Sequence, residues 1–323
     1  MLAGGDKIMV DRAVLCVGNF PPAPPFKPRA SVLESARYVA DPWDWSSFDD
    51  IERDDSLLLV GTGLTMIDIV IELEARGHRG PIRAISRRGL LPQAHVLARP
   101  YPPFLDPSRL PRTVQGQFRR IRAEIRLAKL EGYGWASVMD AVRPFVQALW
   151  RALPDAERRR FLRHVRPYWD VHRHRMAPEV AHRIEALRTA GRLTIEAGRI
   201  LNADIVKGGI ELLVRPRRED GAIRVRADWL VNCSGPECDY GRIRHPLIRQ
   251  LLESGMARPD RLSLGLDVTD DLALVDRQGA VSGALFALGP PTRGALWEIT
   301  AVPDIRAQCA ALASRLLREV ACA

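Results

Sequence analysis

The chain has 323 residues, 46% of them apolar, so it can bury a sizeable core in one large or two medium domains, and disorder is excluded as its default state. Its formal net charge of +9 is typical of proteins that bind nucleic acid or an anionic membrane and of enzymes that attract polyanionic cofactors. We favour attraction of a cofactor over binding of nucleic acid.

The cysteines and the apolar segments bear on the compartment of the protein. The five cysteines have neither an even-numbered framework spacing nor a C-x-x-C pair, which argues against disulfides and zinc: Cys16, Cys233, Cys238, Cys309 and Cys322. The first seven residues carry no secretory signal, and two glycines and two acidic residues interrupt the apolar run over residues 57–73, unlike a membrane span. We therefore expect a cytoplasmic protein with no membrane partner.

The first 48 residues read as the end of one domain followed by a linker. Residues 7–20 predict a strand, a turn and a second strand that ends at Gly18. Prolines dominate residues 21–28, which suits an extended linker because proline cannot continue a sheet. Residues 38–48 predict an irregular aromatic crossing into the next unit.

A glycine-rich turn between a buried strand and a helix is the most informative motif. The pattern predicts a strand at Leu57–Val60 and an amphipathic helix at Leu64–Arg76 that is closed by Gly77. Gly61 lets the chain leave the strand sharply, and Gly63 lets a phosphate approach the backbone amides and the positive end of the helix. The candidate cofactor-binding residues of this turn are Gly61, Thr62, Gly63, Leu64 and Thr65.

The next predicted strand ends in residues that favour NADP over NAD. NAD-specific sites place Asp or Glu about 20 residues after the turn, whereas Ser86, Arg87 and Arg88 here offer a hydroxyl and two guanidiniums that suit a 2′-phosphate. The third small position of the fingerprint is lost, because Met66 stands where Gly or Ala lets the helix pack close to the strand. An ordinary strand-to-helix turn stays open as the alternative.

Residues 113–190 show helical periodicity in several pieces, with abundant arginine on the polar faces. Breaks are predicted at Gly132, Gly134, Pro154, Pro167 and Pro178. We interpret the stretch as a helical insertion with a solvated arginine face, since no motif that reads nucleic acid is recognised. Asp170, His172 and His174 lie close together in sequence, but we favour a basic segment near the nucleotide or substrate over a metal cluster.

The chain after the insertion returns to strand patterning, with turns predicted at Gly208–Gly209 and Asp220–Gly221. This small meander leads into a buried strand that ends at Ser234 and Gly235. This ending resembles the one at Gly18, and Ser234 and Gly235 are candidate cofactor-binding residues.

Cys233 and His95 are candidates for a direct role in catalysis. Packing explains Cys233 better than a nucleophilic role, because neither a G-x-S-x-G elbow nor a Cys-His partnership can be read. His95 could act as an acid or base near a nicotinamide or substrate, although a structural role is favoured for a lone histidine.

Four strand endings in this order resemble those of two-dinucleotide flavoproteins: Val14–Gly18, the turn at Gly61, Val231–Gly235 and Leu285–Gly289. More narrowly, the chain is similar to the bacterial FAD/NAD(P)-binding proteins grouped with urate hydroxylase and aspartate N-monooxygenase type enzymes. The resemblance covers nearly the whole chain, and its most specific segment is residues 289–306. It implies an α/β, two-dinucleotide-binding (Rossmann-like) flavoprotein fold with a helical insertion.

The resemblance also implies where FAD lies. In that family the late glycine and the start of the last helix lie along FAD, so the flavin-side candidates are Gly18, Gly289, Thr300, Val302 and Pro303. Pro303 suits a first helical turn, and the helix that it opens would direct its positive end at the flavin. A merely amphipathic terminal helix over residues 303–320 stays open as the structural alternative.

One departure from the family pattern concerns the N-terminal segment. No G-x-G-x-x-G stands there, and Gly4–Gly5 precede a strand instead of following one. The chain thus resembles the carboxyl-terminal portion of such a flavoprotein, N-terminally incomplete, with flavin affinity expected to be weak or lost. We expect a flavin-domain remnant and linker at 1–48, an NAD(P)-binding domain at 49–240 with the insertion at about 100–190, and a second flavin-domain part at 241–323.

The implied reaction of the complete assembly is hydride transfer from NADPH to FAD, which would support monooxygenation of a small-molecule substrate. The alternative is a non-catalytic NADP-binding remnant or regulatory module. No nucleic-acid partner is expected, and the sequence leaves the substrate, the catalytic residues and the oligomeric state open.

Overall fold

The computed structural model describes residues 7–321, so Gly4–Gly5 and Cys322 lie outside the described residues. Within that range the strands form two sheets. The strands are β1 (Ala13–Leu15), β2 (Tyr38–Val39), β3 (Leu57–Val60), β4 (Ile82–Ser86), β5 (Leu193–Val206), β6 (Gly209–Pro216), β7 (Ile223–Ala227), β8 (Trp229–Asn232), β9 (Ala273–Val275) and β10 (Val281–Ala287).

Six of the ten α-helices in the described residues, α3 to α8, lie between β4 and β5. They are α1 (Ala30–Leu33), α2 (Leu64–Ala75), α3 (Val114–Leu130), α4 (Trp135–Val142), α5 (Val146–Ala152), α6 (Asp155–Arg160), α7 (Arg166–Arg173), α8 (Pro178–Thr189), α9 (Pro246–Glu253) and α10 (Val302–Ala321). Short 3₁₀ turns occur at Trp45–Phe48, Pro107–Arg109, Arg143–Phe145 and Pro290–Thr292, and a π segment at Phe161–Val165 joins α6 to α7.

None of the helices in residues 7–321 combines the length and the apolarity that a bilayer crossing requires.

The larger sheet has seven strands in the order β2-β8-β3-β4-β5-β6-β7. Its first five strands are parallel, and every residue of the central strands β3 and β8 is buried. Apolar residues cover both faces, as the fully apolar runs of these strands require. The predicted strand at 57–60 and the helix after it are confirmed, with Gly77 in the left-handed region at φ +81°. Because the strands are parallel, the loops after β3, β4 and β8 meet at one sheet edge.

Strand β5 changes its partner halfway along. Its first five residues pair in parallel with β4, and from Gly198 onward it pairs antiparallel with β6, with a register shift between Ile200 and Asn202. Strands β6 and β7 complete the antiparallel meander that the two glycine-containing turns predicted. The meander is therefore continuous with the parallel sheet instead of forming a separate unit.

The smaller sheet has the order β1-β10-β9 and joins the two ends of the described chain. Val14 pairs with Phe286 in the parallel ladder between β1 and β10. The first of the two strands predicted in residues 7–20 is absent from the described residues, and Ile8, Met9 and Val10 are exposed instead. The residues of this segment therefore add no strand to the small sheet, in which β1 is an edge strand.

The predicted helical insertion splits between two cores. Helices α3 to α7 pack around their own apolar cluster, which contains Trp150, Phe161 and Trp169. Helix α8 instead packs against α2 on the large sheet, where Ile184 and Leu187 are buried. Pro167 lies in the first turn of α7, directly after the π segment, so the helical run changes type at this proline but does not end there.

The large sheet also begins earlier in the chain than the sequence indicated. The segment read as an irregular aromatic crossing contains β2, whose residues Tyr38 and Val39 pair with β8. Val32 of α1 is buried in the same core as Leu58. The structure thus places residues 30–39 with the nucleotide-type sheet and not with the preceding linker.

Candidate functional site

A cleft of about 430 Å³ lies at the carboxyl edge of the large sheet. Its walls come from the loops after β3, β4 and β8, from α7 and from the segment that precedes α10. The lining residues are Gly61, Thr62, Gly63, Leu64, Thr65, Ser86, Arg87, Arg88, Leu90, Pro92, Arg166, Pro167, Asp170, Val171, His174, Cys233, Ser234, Gly235 and Arg293. The structure therefore brings together the ten candidates that the sequence placed at the turn, after β4 and after β8.

The two glycines of the turn have different structural roles. Gly61 has φ +114°, and a Cβ on it would lie 2.4 Å from the carbonyl oxygen of Cys233, so only glycine fits between β3 and β8. Gly63 has an ordinary φ of −86°, and a Cβ built on it would meet no described atom within 4 Å. The space beside Gly63 is open for a ligand.

The N-terminus of α2 points an uncapped helix end at this cleft. Gly63 is the N-cap residue, and none of the described side chains caps it. The first-turn residues Leu64 and Thr65 line the cleft. Helix N-termini carry unpaired backbone N–H groups and a partial positive charge, so this end suits a phosphate.

Two of the predicted polar residues hold the loop after β4 in place. Thr62 Oγ1 lies 2.9 Å from Ser86 Oγ and donates to the carbonyl oxygen of Leu90 at 2.6 Å. Ser86 Oγ in turn accepts a hydrogen bond from the N–H of Gly89. These contacts fix the position of the loop that carries the two arginines.

Arg87 and Arg88 differ in what they contact. Arg88 donates to the Tyr168 hydroxyl at 3.1 Å and to the His164 carbonyl at 3.2 Å. The hydrogen bond to the hydroxyl lowers the pKa of Tyr168. Arg87 is exposed and has no ion pair or side-chain hydrogen bond within residues 7–321. Arg88 therefore ties the loop to the helical insertion, whereas Arg87 is available to a ligand.

One face of α7 forms a wall that sequence reasoning missed. Arg166, Asp170 and His174 follow one another at intervals of four residues and line the cleft, and Arg166 Nε lies 3.3 Å from Asp170 Oδ2. This spacing was readable in the sequence. His172 lies off this face and packs its ring on Trp135. Within residues 7–321 no cluster of His, Cys, Asp or Glu suits a metal ion.

A buried carboxylate joins α7 to the segment before α10. Glu298 is 7% exposed and accepts hydrogen bonds from Trp169 Nε1 at 2.5 Å and from Arg173 Nε at 3.0 Å. Its φ of +63° is unusual for a residue with a Cβ, so these contacts hold it in a strained backbone position. Burial lowers the pKa of His174, whose Nε2 lies 3.8 Å from the same carboxylate.

The flavin-side candidates lie apart from this cleft. Gly18 and Gly289 follow the paired strands β1 and β10, both with positive φ. The N–H of Gly289 already donates to Gln308 Oε1 at 2.7 Å. Thr300, Val302 and Pro303 are exposed at the start of α10, and none of these five candidates lines the cleft: Gly18, Gly289, Thr300, Val302 and Pro303.

The structure supports a catalytic role for neither His95 nor Cys233. His95 is exposed and does not line the cleft. The Cys233 side chain is buried in the sheet core, and burial raises its pKa, so the thiolate needed for nucleophilic attack is disfavoured.

No protein-family model matches the chain. Curated relatives are uncharacterized proteins of Mycobacterium tuberculosis and Mycobacterium bovis, each 26% identical to this chain over 296 residues. The match covers 83% of this chain and 53% of the relative, so the chain spans about half the length of the curated relatives that it matches.

Solved structures of similar fold are N-hydroxylating and related monooxygenases. L-lysine 6-monooxygenase of Pseudomonas syringae has a TM-score of 0.59 at 15% identity, over 94% of this chain and 63% of that enzyme. The ornithine N-hydroxylase of Kutzneria sp. 744, with reduced FAD, NADP⁺ and L-ornithine, has a TM-score of 0.57 at 14% identity, over 94% of this chain and 62% of that enzyme. Reduced ornithine hydroxylase of Pseudomonas aeruginosa has a TM-score of 0.54 at 15% identity, over 94% of this chain and 61% of that enzyme. The chain therefore has the mixed α/β, Rossmann-like fold of such flavoproteins.

Proposed function

We propose that this chain contributes the NADP(H)-binding part of a FAD- and NADP-dependent oxidoreductase that supports monooxygenation of a small molecule. The observation that carries the proposal is the cleft itself, where an uncapped helix N-terminus and the free guanidinium of Arg87 are presented together. Both features recognise phosphate, and they stand at the turn after β3 and at the end of β4, respectively.

The residues of the cleft fit a phosphorylated dinucleotide. The backbone of Gly63, Leu64 and Thr65 would hold the pyrophosphate, with the open space beside Gly63 admitting it. Arg87, supported by the loop that Arg88 fixes, would hold the 2′-phosphate. The coenzyme, when bound, supplies a hydride, and the protein supplies its binding and orientation.

The flavin part of the proposal rests on the fold and on the resemblance of residues 289–306. Within the described residues the flavin-side candidates fit a cofactor less well, because they are outside the cleft and the N–H of Gly289 is occupied by Gln308. We therefore infer that the chain binds the nicotinamide coenzyme while it holds flavin weakly or not at all. The same observation favours a second candidate function, a non-catalytic NADP-binding module.

Absorption spectra and NADPH oxidation separate the two functions. We expect purified protein to carry no stoichiometric flavin, and we expect it to bind NADPH. NADPH oxidation that depends on added FAD would support the oxidoreductase, whereas binding without oxidation would support the module. A stoichiometric flavin spectrum would contradict the inferred weak flavin binding, and failure to bind NADPH would overturn both functions.

A further inference from the structure

One guanidinium in the cleft has no anionic partner. Arg293 lines the cleft from the segment before α10, and no carboxylate pairs with it in the described part of the chain. Its Nη1 donates to Cys238 Sγ at 3.3 Å, and sulfur is a weak acceptor. Its Nε is buried and finds no hydrogen-bond partner among the described atoms. The guanidinium therefore lines the cleft with only a weak sulfur acceptor and no carboxylate, which leaves it available to an anionic ligand.

A buried indole sets the position of this guanidinium. Trp297 is 2% exposed and stacks on Trp150 with ring centroids 5.0 Å apart. The guanidinium carbons of Arg293 and Arg166 lie 5.0 Å and 5.7 Å from the Trp297 ring centroid. Both cations are thus held against one rigid aromatic ring, an arrangement that lowers the entropy lost when they bind an anion.

The other two arginines near this corner of the cleft already have carboxylate partners. Arg166 pairs with Asp170 at 3.3 Å, and Arg173 pairs with Glu298 at 3.0 Å. These pairs place two positive and two negative charges around the corner of the cleft. Arg293 itself forms no ion pair within the described residues and is partly buried, and an anion is attracted more strongly there than at an open surface.

We propose that Arg293, with Arg166 beside it, binds the carboxylate or phosphate group of the small-molecule substrate at this corner of the cleft. The planar guanidinium can donate two parallel hydrogen bonds to either oxyanion. Under the proposed function, the coenzyme's own phosphates would be held separately, by the α2 N-terminus and Arg87. That the anion belongs to the substrate rests on the proposed function, whereas the anion site itself rests on the geometry of Arg293.

The test titrates inorganic phosphate and acetate into the protein with and without saturating NADP⁺, with NMR of the anions as readout. With the coenzyme sites filled, wild type should still bind both anions saturably, and Arg293→Gln should weaken this binding at least tenfold. Arg119→Gln removes the same charge from an exposed position on α3 and should leave the anion affinity unchanged.

Three results would overturn the proposal. They are no saturable anion binding in wild type, equal anion binding in wild type and Arg293→Gln, or an NADP⁺ affinity that falls in Arg293→Gln as far as in Arg87→Gln. The last result would assign Arg293 to the coenzyme's phosphates. If NADP⁺ does not bind at all, the proposed function fails, and the titrations without coenzyme still compare wild type with Arg293→Gln.

A second variant keeps the test informative if Arg293→Gln fails to fold, because it retains a cation beside the Trp297 ring. Arg293→Lys keeps the charge but cannot form the two parallel hydrogen bonds, so acetate should bind several-fold more weakly than to wild type. Unchanged acetate affinity in Arg293→Lys would contradict direct contact by the guanidinium. Circular dichroism of each variant shows whether the affinities refer to folded protein.

Discussion

The seven-stranded sheet and the three-stranded sheet are assembled in different ways. The central strands of the large sheet, β3 and β8, are buried at every residue, and their loops form the cleft. The small sheet joins residues 13–15 to residues 273–287, and the first half of β10 is largely exposed. The large sheet thus has fully buried central strands whose loops line the cleft, whereas the small sheet leaves half of one strand exposed.

The largest expected effect tests the close approach between β3 and β8. Gly61→Ala places a Cβ 2.4 Å from the carbonyl oxygen of Cys233 at a φ of +114°, so unfolding should become easier by about 3 kcal/mol or more. Gly18→Ala, after β1 of the small sheet, also has a positive φ but meets no described atom within 4 Å, and should cost about 1 kcal/mol. Denaturant titration measures both, and equal losses would contradict the difference between the sheets.

A matched pair of valines tests the two cores with the same chemical change. Val231 of β8 is fully buried, so Val231→Ala should reduce the free energy of unfolding by about 2 kcal/mol. Val281 of β10 is 59% exposed, and Val281→Ala should change it by less than about 0.5 kcal/mol. A larger loss at Val281 in denaturant titrations would show that the small sheet has a tighter core than its exposure indicates.

The smallest expected effect is a pH dependence that comes from the large-sheet unit. His78 is 4% exposed, and burial lowers its pKa below the ordinary value of 6.5, with Arg192 adding repulsion and the backbone oxygen of Asp55 opposing it. The unfolded chain therefore takes up a proton near pH 6.5 that the folded chain resists, and stability should fall as pH drops below 6.5.

Denaturation midpoints at pH 7.5, 6.5 and 5.5 measure this pH dependence. His78→Gln should reduce the loss of stability between pH 7.5 and 5.5, because it removes the group that resists protonation. His245→Gln, at an exposed position before α9, should leave the pH dependence as in wild type. An identical pH profile in wild type and His78→Gln would contradict the assignment.

The sequence predicted those parts of the cleft that are built from residues close together in the chain. Strand β3, the turn at Gly61 and helix α2 are contiguous in sequence, so one motif contained both the local fold and a loop that lines the cleft. Ser234 and Gly235 also reach the cleft as the sequence indicated, because β8 lies beside β3.

The remaining features depend on contacts that periodicity does not encode. The two residues of β2 were hidden in an aromatic stretch and form a strand only because β8 lies beside them. Helix α7, which carries one wall of the cleft, is tied to the segment before α10 by the hydrogen bond from Trp169 to Glu298, 129 positions away in the chain. Arg293 lies inside the most specific segment of the sequence, yet its place in the cleft follows from that long-range packing.

The most direct test of the account compares NADP⁺ with NAD⁺ by calorimetry on wild type, Arg87→Gln and the control Arg79→Gln, which changes an exposed arginine before β4. A guanidinium–phosphate contact contributes about 1.5–3 kcal/mol, so wild type and Arg79→Gln should bind NADP⁺ at least about tenfold more tightly than NAD⁺. Arg87→Gln should lose most of that preference. Equal affinity for the two coenzymes in wild type, or an unchanged preference in Arg87→Gln, would contradict a 2′-phosphate site at the end of β4.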